Sequence, residues 1–145
     1  MFWGGLMLGR VVFGLLPSTL RPGSLLRGSI VGVCVAAGVL TVGFGIALNL
    51  AAVFVLGFSS GPIFPSLIAT TAERVGDAHT ANTVGFQVAA AALGQSLLPT
   101  GVGVLADRFG LEVVPASVLI AGLVLFAICQ LMGRPRAALL AAPAA

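Results

Sequence analysis

An all-α membrane protein, with about five transmembrane helices, is the fold class this sequence predicts. Three observations lead there: 59% of the 145 residues are hydrophobic, only 8% are charged, and the apolar residues fall in long unbroken runs. A soluble domain carries roughly a quarter charged residues. With so few polar side chains the chain could not cover its own surface in water, and apolar patches of that extent drive association or insertion. Residues 1–133 are therefore read as a transmembrane helical domain, and residues 134–145 as a cytoplasmic tail.

Crossing about 30 Å of hydrocarbon takes about 20 apolar residues in a helix, because backbone groups in lipid must bond internally. The first apolar segment, residues 2–16, is short by that measure and ends at Pro17 and the polar stretch containing Ser18, Thr19, Arg21, Ser24 and Arg27. It lacks the basic start of a secretory signal and is broken by Arg10, so it is read as part of the membrane domain. Its shortness leads to the expectation that the chain begins partway into a helix.

Residues 28–72 carry no charge, a run too long for one span and suited to two joined by a tight turn. The glycine-rich stretch 43–49 is the expected turn, which gives spans at 25–44 and 50–72. Glu73, Arg74, Asp77 and His79 are expected to form a polar loop. A fourth span is expected at 83–106, a charged link at Asp107, Arg108 and Glu112, and a fifth span at 113–132. Arg21, Arg27, Arg74, Arg134 and Arg136 then share one side and Arg108 has the other, so positive-inside logic makes the first side cytoplasmic and puts the carboxyl terminus there.

All seven basic residues are arginines scattered between apolar runs. They form no basic stripe that could follow a phosphate backbone, so no nucleic-acid partner is expected. Cys34 and Cys129 each lie inside an apolar run and read as small hydrophobes. His79 has no second ligand at metal spacing. There is no nucleophile–base set, nucleotide loop or carboxylate pair, so neither an enzyme, a metal nor a cofactor is expected.

Several local patterns resemble the sugar/proton symporter branch of the major facilitator superfamily, which contains the fucose and glucose/galactose permeases. Phe2-Trp3-Gly4-Gly5-Leu6-Met7-Leu8-Gly9-Arg10 is similar to that family's eighth helix, and Gly61-Pro62-Ile63-Phe64-Pro65-Ser66 resembles the Phe-Pro kink of its tenth. Residues 94–107, with Pro99, Gly103 and the Leu-Ala-Asp ending, resemble its eleventh helix, and Val114-Pro115 the start of its twelfth. The resemblance implies helices eight to twelve of a twelve-helix transporter in a bacterial inner membrane. Its partners would be the lipid bilayer, a missing N-terminal half or a second copy, and a small polar solute moved with or without a proton. The family's proton-coupling carboxylates belong to the other half, so no residue here inherits that role. Residues 103–110 also resemble the Asp-Arg loop motif that major facilitators keep on the cytoplasmic side, which would invert the topology; the five-to-one arginine count decides against that.

The candidate substrate-binding residues are Arg10, Ser59, Ser66, Gln87 and Gln95, and the candidate helix kinks are Pro62, Pro65 and Pro99. Arg10 is a charge inside a span, costly unless used. Alternatively it snorkels toward the helix end at Pro17, about 10 Å along, and covers much of that distance. Ser59, Ile63, Ser66 and Thr70 recur at one helical face, where hydroxyls either line a cavity or bond back to their own helix. Pro62 and Pro65 each remove a backbone donor, as in the broken helices that line transporter cavities. Gln87 shares a face with Ala91, Gly94, Leu98 and Gly101, and its amide suits either sugar hydroxyls or another helix. Gly5 and Gly9, Gly28 and Gly32, and Gly57 and Gly61 are small-xxx-small pairs read as helix-packing sites. The two functions to be weighed are transport of a sugar or related metabolite by alternating access, and a non-transporting membrane fragment or helix-packing partner.

Overall fold

The computed structural model describes residues 1–15 and 22–133. Pro17 to Arg21, expected to close the first span, lie outside the described residues, as does the tail with Arg134 and Arg136. The described residues are all helical apart from short turns: α1 Phe2–Leu15, α2 Pro22–Val42, α3 Ile46–Ser60, α4 Ile63–Val75, α5 Asp77–Phe109 and α6 Val113–Gly133.

Among the described residues, four helical runs are long and apolar enough to cross a membrane: Pro22–Val42, Ile46–Thr71, Ala78–Phe109 and Val113–Leu131. Five are expected; the first of them is described only over Phe2–Leu15. The described part of α1, 14 residues, covers roughly 21 Å at 1.5 Å per residue. The chain is thus a membrane-embedded helical protein whose described residues include four runs of spanning length and one shorter apolar helix.

Three boundaries differ from the sequence expectation, each for a local reason. The turn between α2 and α3 is confined to Gly43, Phe44 and Gly45. Both glycines adopt positive φ, 73° and 110°, which spares any Cβ clash. Asn49 already donates its backbone N–H to the Gly45 carbonyl at 3.0 Å and belongs to the first turn of α3. The expected polar loop 73–79 is helical except at Gly76, whose φ of 73° reverses the chain between α4 and α5 in a single residue. His79 is therefore an exposed residue of the first turn of α5, not a loop residue. The third span starts at Ile46 rather than Leu50, and its run Ile46–Thr71 is divided into α3 and α4 at Gly61 and Pro62.

Close backbone approach joins α1 to α3. A methyl group added at Gly5 would overlap the Phe54 carbonyl, one at Gly9 the Phe58 carbonyl, and one at Gly57 the Phe2 carbonyl. Gly61 lies against Leu6, Gly9 and the Arg10 backbone nitrogen, the last 3.0 Å from an added Cβ. Two small-xxx-small pairs thus face each other, which lets backbones meet at a distance no larger side chain permits.

The buried core belongs mainly to α2. Leu26, Ile30, Val33, Ala36 and Ala37 fill the space between it and its neighbours, for α2 packs on α3, α4 and α6. Gly32 faces the Ser59 side chain of α3, and Gly122 of α6 faces Cys34 and Val33 of α2. By contrast, α5 packs mainly on α4 and α6, and its most apolar stretch contains no buried residue.

Candidate functional site

Two cavities open where the helix ends of α1, α2, α4, α5 and α6 converge. The larger, about 620 Å³, is lined by Arg10, Phe13 and Gly14 of α1, Pro22 and Leu25 of α2, and Gly61, Pro62, Phe64, Pro65, Ser66 and Ala69 at the α3–α4 break. That volume lies within the roughly 300–1,000 Å³ of small-molecule pockets.

The break makes the cavity. Gly61 carries no side chain, and its backbone lies against the Arg10 backbone, so Arg10 is level with a point near the middle of the Ile46–Thr71 span. Pro65 has no N–H to return to the Gly61 carbonyl, and Pro62 has none for Phe58. The Phe58 carbonyl instead accepts the Gly61 N–H at 3.3 Å, one residue tighter than α-helical spacing, and Ser66 N–H restarts the ladder on the Pro62 carbonyl at 3.0 Å. Both prolines line the same cavity as Arg10.

Arg10 is exposed and forms no ion pair among the described residues. Its guanidinium keeps five donors for whatever enters. Ser66 is 6% exposed and lines the same cavity. Its hydroxyl has no hydrogen-bond partner among the described residues, unlike Ser60, which bonds back to the Leu56 carbonyl at 2.7 Å, and Thr70, bonded to the Ser66 and Leu67 carbonyls at 2.9 and 3.0 Å. The wall is otherwise apolar, with Phe13, Phe64, Leu25 and Ala69. A cation and a hydroxyl on an apolar lining suit a small neutral or anionic polar molecule.

The remaining sequence candidates lie elsewhere. Ser59 is buried against Gly32 at the α2–α3 contact and lines neither cavity. The face expected to carry Ser59, Ile63, Ser66 and Thr70 is split, because its spacing assumes a continuous helix and the break at Gly61 and Pro62 resets the register. Gln87 donates its side-chain amide to the Thr71 hydroxyl at 2.6 Å, and Thr71 in turn donates to the Leu67 carbonyl at 2.8 Å. This chain ties α5 to α4 beside the smaller cavity rather than the larger. Gln95 and Pro99 are exposed on α5 and line neither cavity, and α5 runs unbroken through Pro99.

The smaller cavity, about 300 Å³, has Arg27 and Arg74 in its wall together with Gln87, Thr70, Thr71, Thr83 and Cys129. The arginine count puts both arginines on one side of the membrane but does not mark them as a pair. Their shared side was the only signal available. No protein-family model, curated protein or solved structure matches this chain.

Proposed function

We propose that this chain forms part of a secondary transporter that moves a small polar solute, a sugar or related metabolite, across a bacterial inner membrane by alternating access. One observation carries the reading: the unpaired Arg10 guanidinium shares a cavity with Ser66 at the break between α3 and α4. Intramembrane charge is costly and marks solute pathways, and broken helices at mid-span expose the backbone groups that coordinate them. The major facilitator resemblance of these segments supplies the mechanism, in which two helical bundles rock about a central site. The facing bundle would come from a second transporter half or from a second copy, and the carboxyl terminus would be cytoplasmic.

A second reading, a membrane subunit that acts by helix packing alone, is favoured by α5, whose apolar stretch has nothing buried against the rest of the chain. Uptake of labelled sugars into proteoliposomes separates the two. Transport predicts saturable uptake, abolished in Arg10→Ala and retained in Arg108→Ala, and its response to an imposed pH gradient reports proton coupling. No uptake by correctly inserted wild-type chain, alone or co-reconstituted with a facing half, would leave the packing role.

A further inference from the structure

The smaller cavity suits a ligand of different chemistry, and its occupancy is independent of whether the larger one carries solute. Arg27 stands in the second turn of α2 and Arg74 in the last turn of α4, so two helices of opposite direction bring both guanidinium groups to one end of the bundle. Both side chains are exposed, both line the same cavity, and neither has an ion-pair partner among the described residues. Two like charges in one wall repel each other unless an anion lies between them. Gly23, in the first turn of α2, also lines the cavity; backbone N–H groups there have no intrahelical acceptor and favour negative charge.

We propose that this cavity binds a phosphate group between Arg27 and Arg74. A planar guanidinium meets phosphate oxygens with two parallel donors, which makes a pair of arginines selective for phosphate over a spherical anion. Thr83 adds a hydroxyl on the α5 side, although that hydroxyl already donates to the His79 carbonyl at 2.9 Å and so offers only its lone pairs. The rest of the wall includes Leu26 and Leu67, an apolar surface that an acyl chain would cover. The phosphate can belong to an anionic lipid headgroup, as in other basic pockets between membrane helices, or to a free phosphate.

The test uses the whole chain in dodecyl maltoside, which carries neither phosphate nor charge. Its unfolding midpoint is measured with inorganic phosphate against chloride at equal ionic strength, and with phosphatidylglycerol against the same share of phosphatidylcholine. Binding at saturation raises the midpoint by about 5 °C or more. The rise is expected in the wild type and Arg108→Gln, and is expected to vanish in Arg27→Gln and Arg74→Gln. A rise with inorganic phosphate identifies a free phosphate as sufficient; a rise with phosphatidylglycerol alone identifies the headgroup. No rise with either overturns the proposal, as does an equal rise in all three arginine variants, which would report general charge. Should Arg27→Gln or Arg74→Gln fail to fold, alkylation of Cys129 in the wild-type chain decides: the same additions slow it severalfold if the cavity fills, and an unchanged rate overturns the site.

Discussion

The Gln87 amide donates to the Thr71 hydroxyl at 2.6 Å, a side-chain to side-chain hydrogen bond between α5 and α4. It lies on the edge of the bundle where α5 has few other anchors. Interhelical hydrogen bonds in membranes average about 0.6 kcal/mol and reach about 1.7, because the unfolded segment also finds partners. A double-mutant cycle with Gln87→Leu and Thr71→Val, read by unfolding in mixed micelles, is expected to give a coupling in that range. Thr71→Val alone should cost more than the coupling itself, since it leaves the Gln87 amide donor beside a methyl group while Gln87 Oε1 is already buried without a partner. Zero coupling would mean that α5 is held by packing alone.

Glycine substitutions separate packing from conformational preference. Gly57→Ala places a methyl group against the Phe2 carbonyl, with the Leu6 nitrogen 3.1 Å away, and both obstacles are backbone. The helices must part, at about 1–3 kcal/mol, the usual range for overpacking. Gly4→Ala and Gly14→Ala meet nothing within 4 Å and should be neutral, or more stable by up to about 1 kcal/mol from helix propensity. The comparison of thermal unfolding among the three variants checks it; equal effects would mean that α1 does not dock on α3.

Much of that packing was legible in the sequence, and the reason is geometric. Small residues four apart lie on one helical face whatever the tertiary fold, so Gly5/Gly9 and Gly57/Gly61 announce close contacts without saying with what. Gly28 and Gly32 show the limit of the signal: Gly32 meets Ser59, whereas Gly28 meets nothing within 4 Å. Helical periodicity also assumes an unbroken helix, and this is where the hydroxyl face failed. Ser59 and Ser66 were aligned on paper, yet the turn at Gly61 and Pro62 sends one to the α2 contact and the other to the cavity. Arg10 and Ser66 belong to separate helices, and no spacing rule brings them together; only the docking of α1 on α3 does. The Arg27 and Arg74 pair escaped for the same reason.

The larger cavity is expected to be aqueous. Thiols react with methanethiosulfonate reagents as thiolates, which form in water and not in hydrocarbon. In a chain with Cys34 and Cys129 replaced by alanine, Ala69→Cys on the cavity wall should react at least about tenfold faster than Leu97→Cys on the exposed face of α5. Added solute should then slow Ala69→Cys alone. Equal, slow reaction at both positions would show that lipid fills the cavity, which removes the basis for assigning Arg10 to a solute.

Pro99 tests whether α5 must flex. It stands inside a 33-residue helix and is exposed, so its substitution disturbs no buried contact. Without an N–H it cannot bond the Gln95 carbonyl. Nearby hydroxyls already serve this stretch, with Thr100 donating to the Ser96 carbonyl at 2.7 Å and Ser96 to the Ala92 carbonyl at 3.1 Å. Neither bond replaces the one missing at the Gln95 carbonyl. Pro99→Ala restores the missing donor and is expected to stabilise the chain by about 1 kcal/mol, below the roughly 3 kcal/mol separating the two residues in helices in water. In a transporter that works by rocking bundles, the stiffer helix should lower the maximal uptake rate while leaving the half-saturating solute concentration unchanged, because Pro99 does not line the solute cavity. Higher stability with unchanged uptake would make α5 a strut rather than a moving part and confine the conformational change to the α3–α4 break.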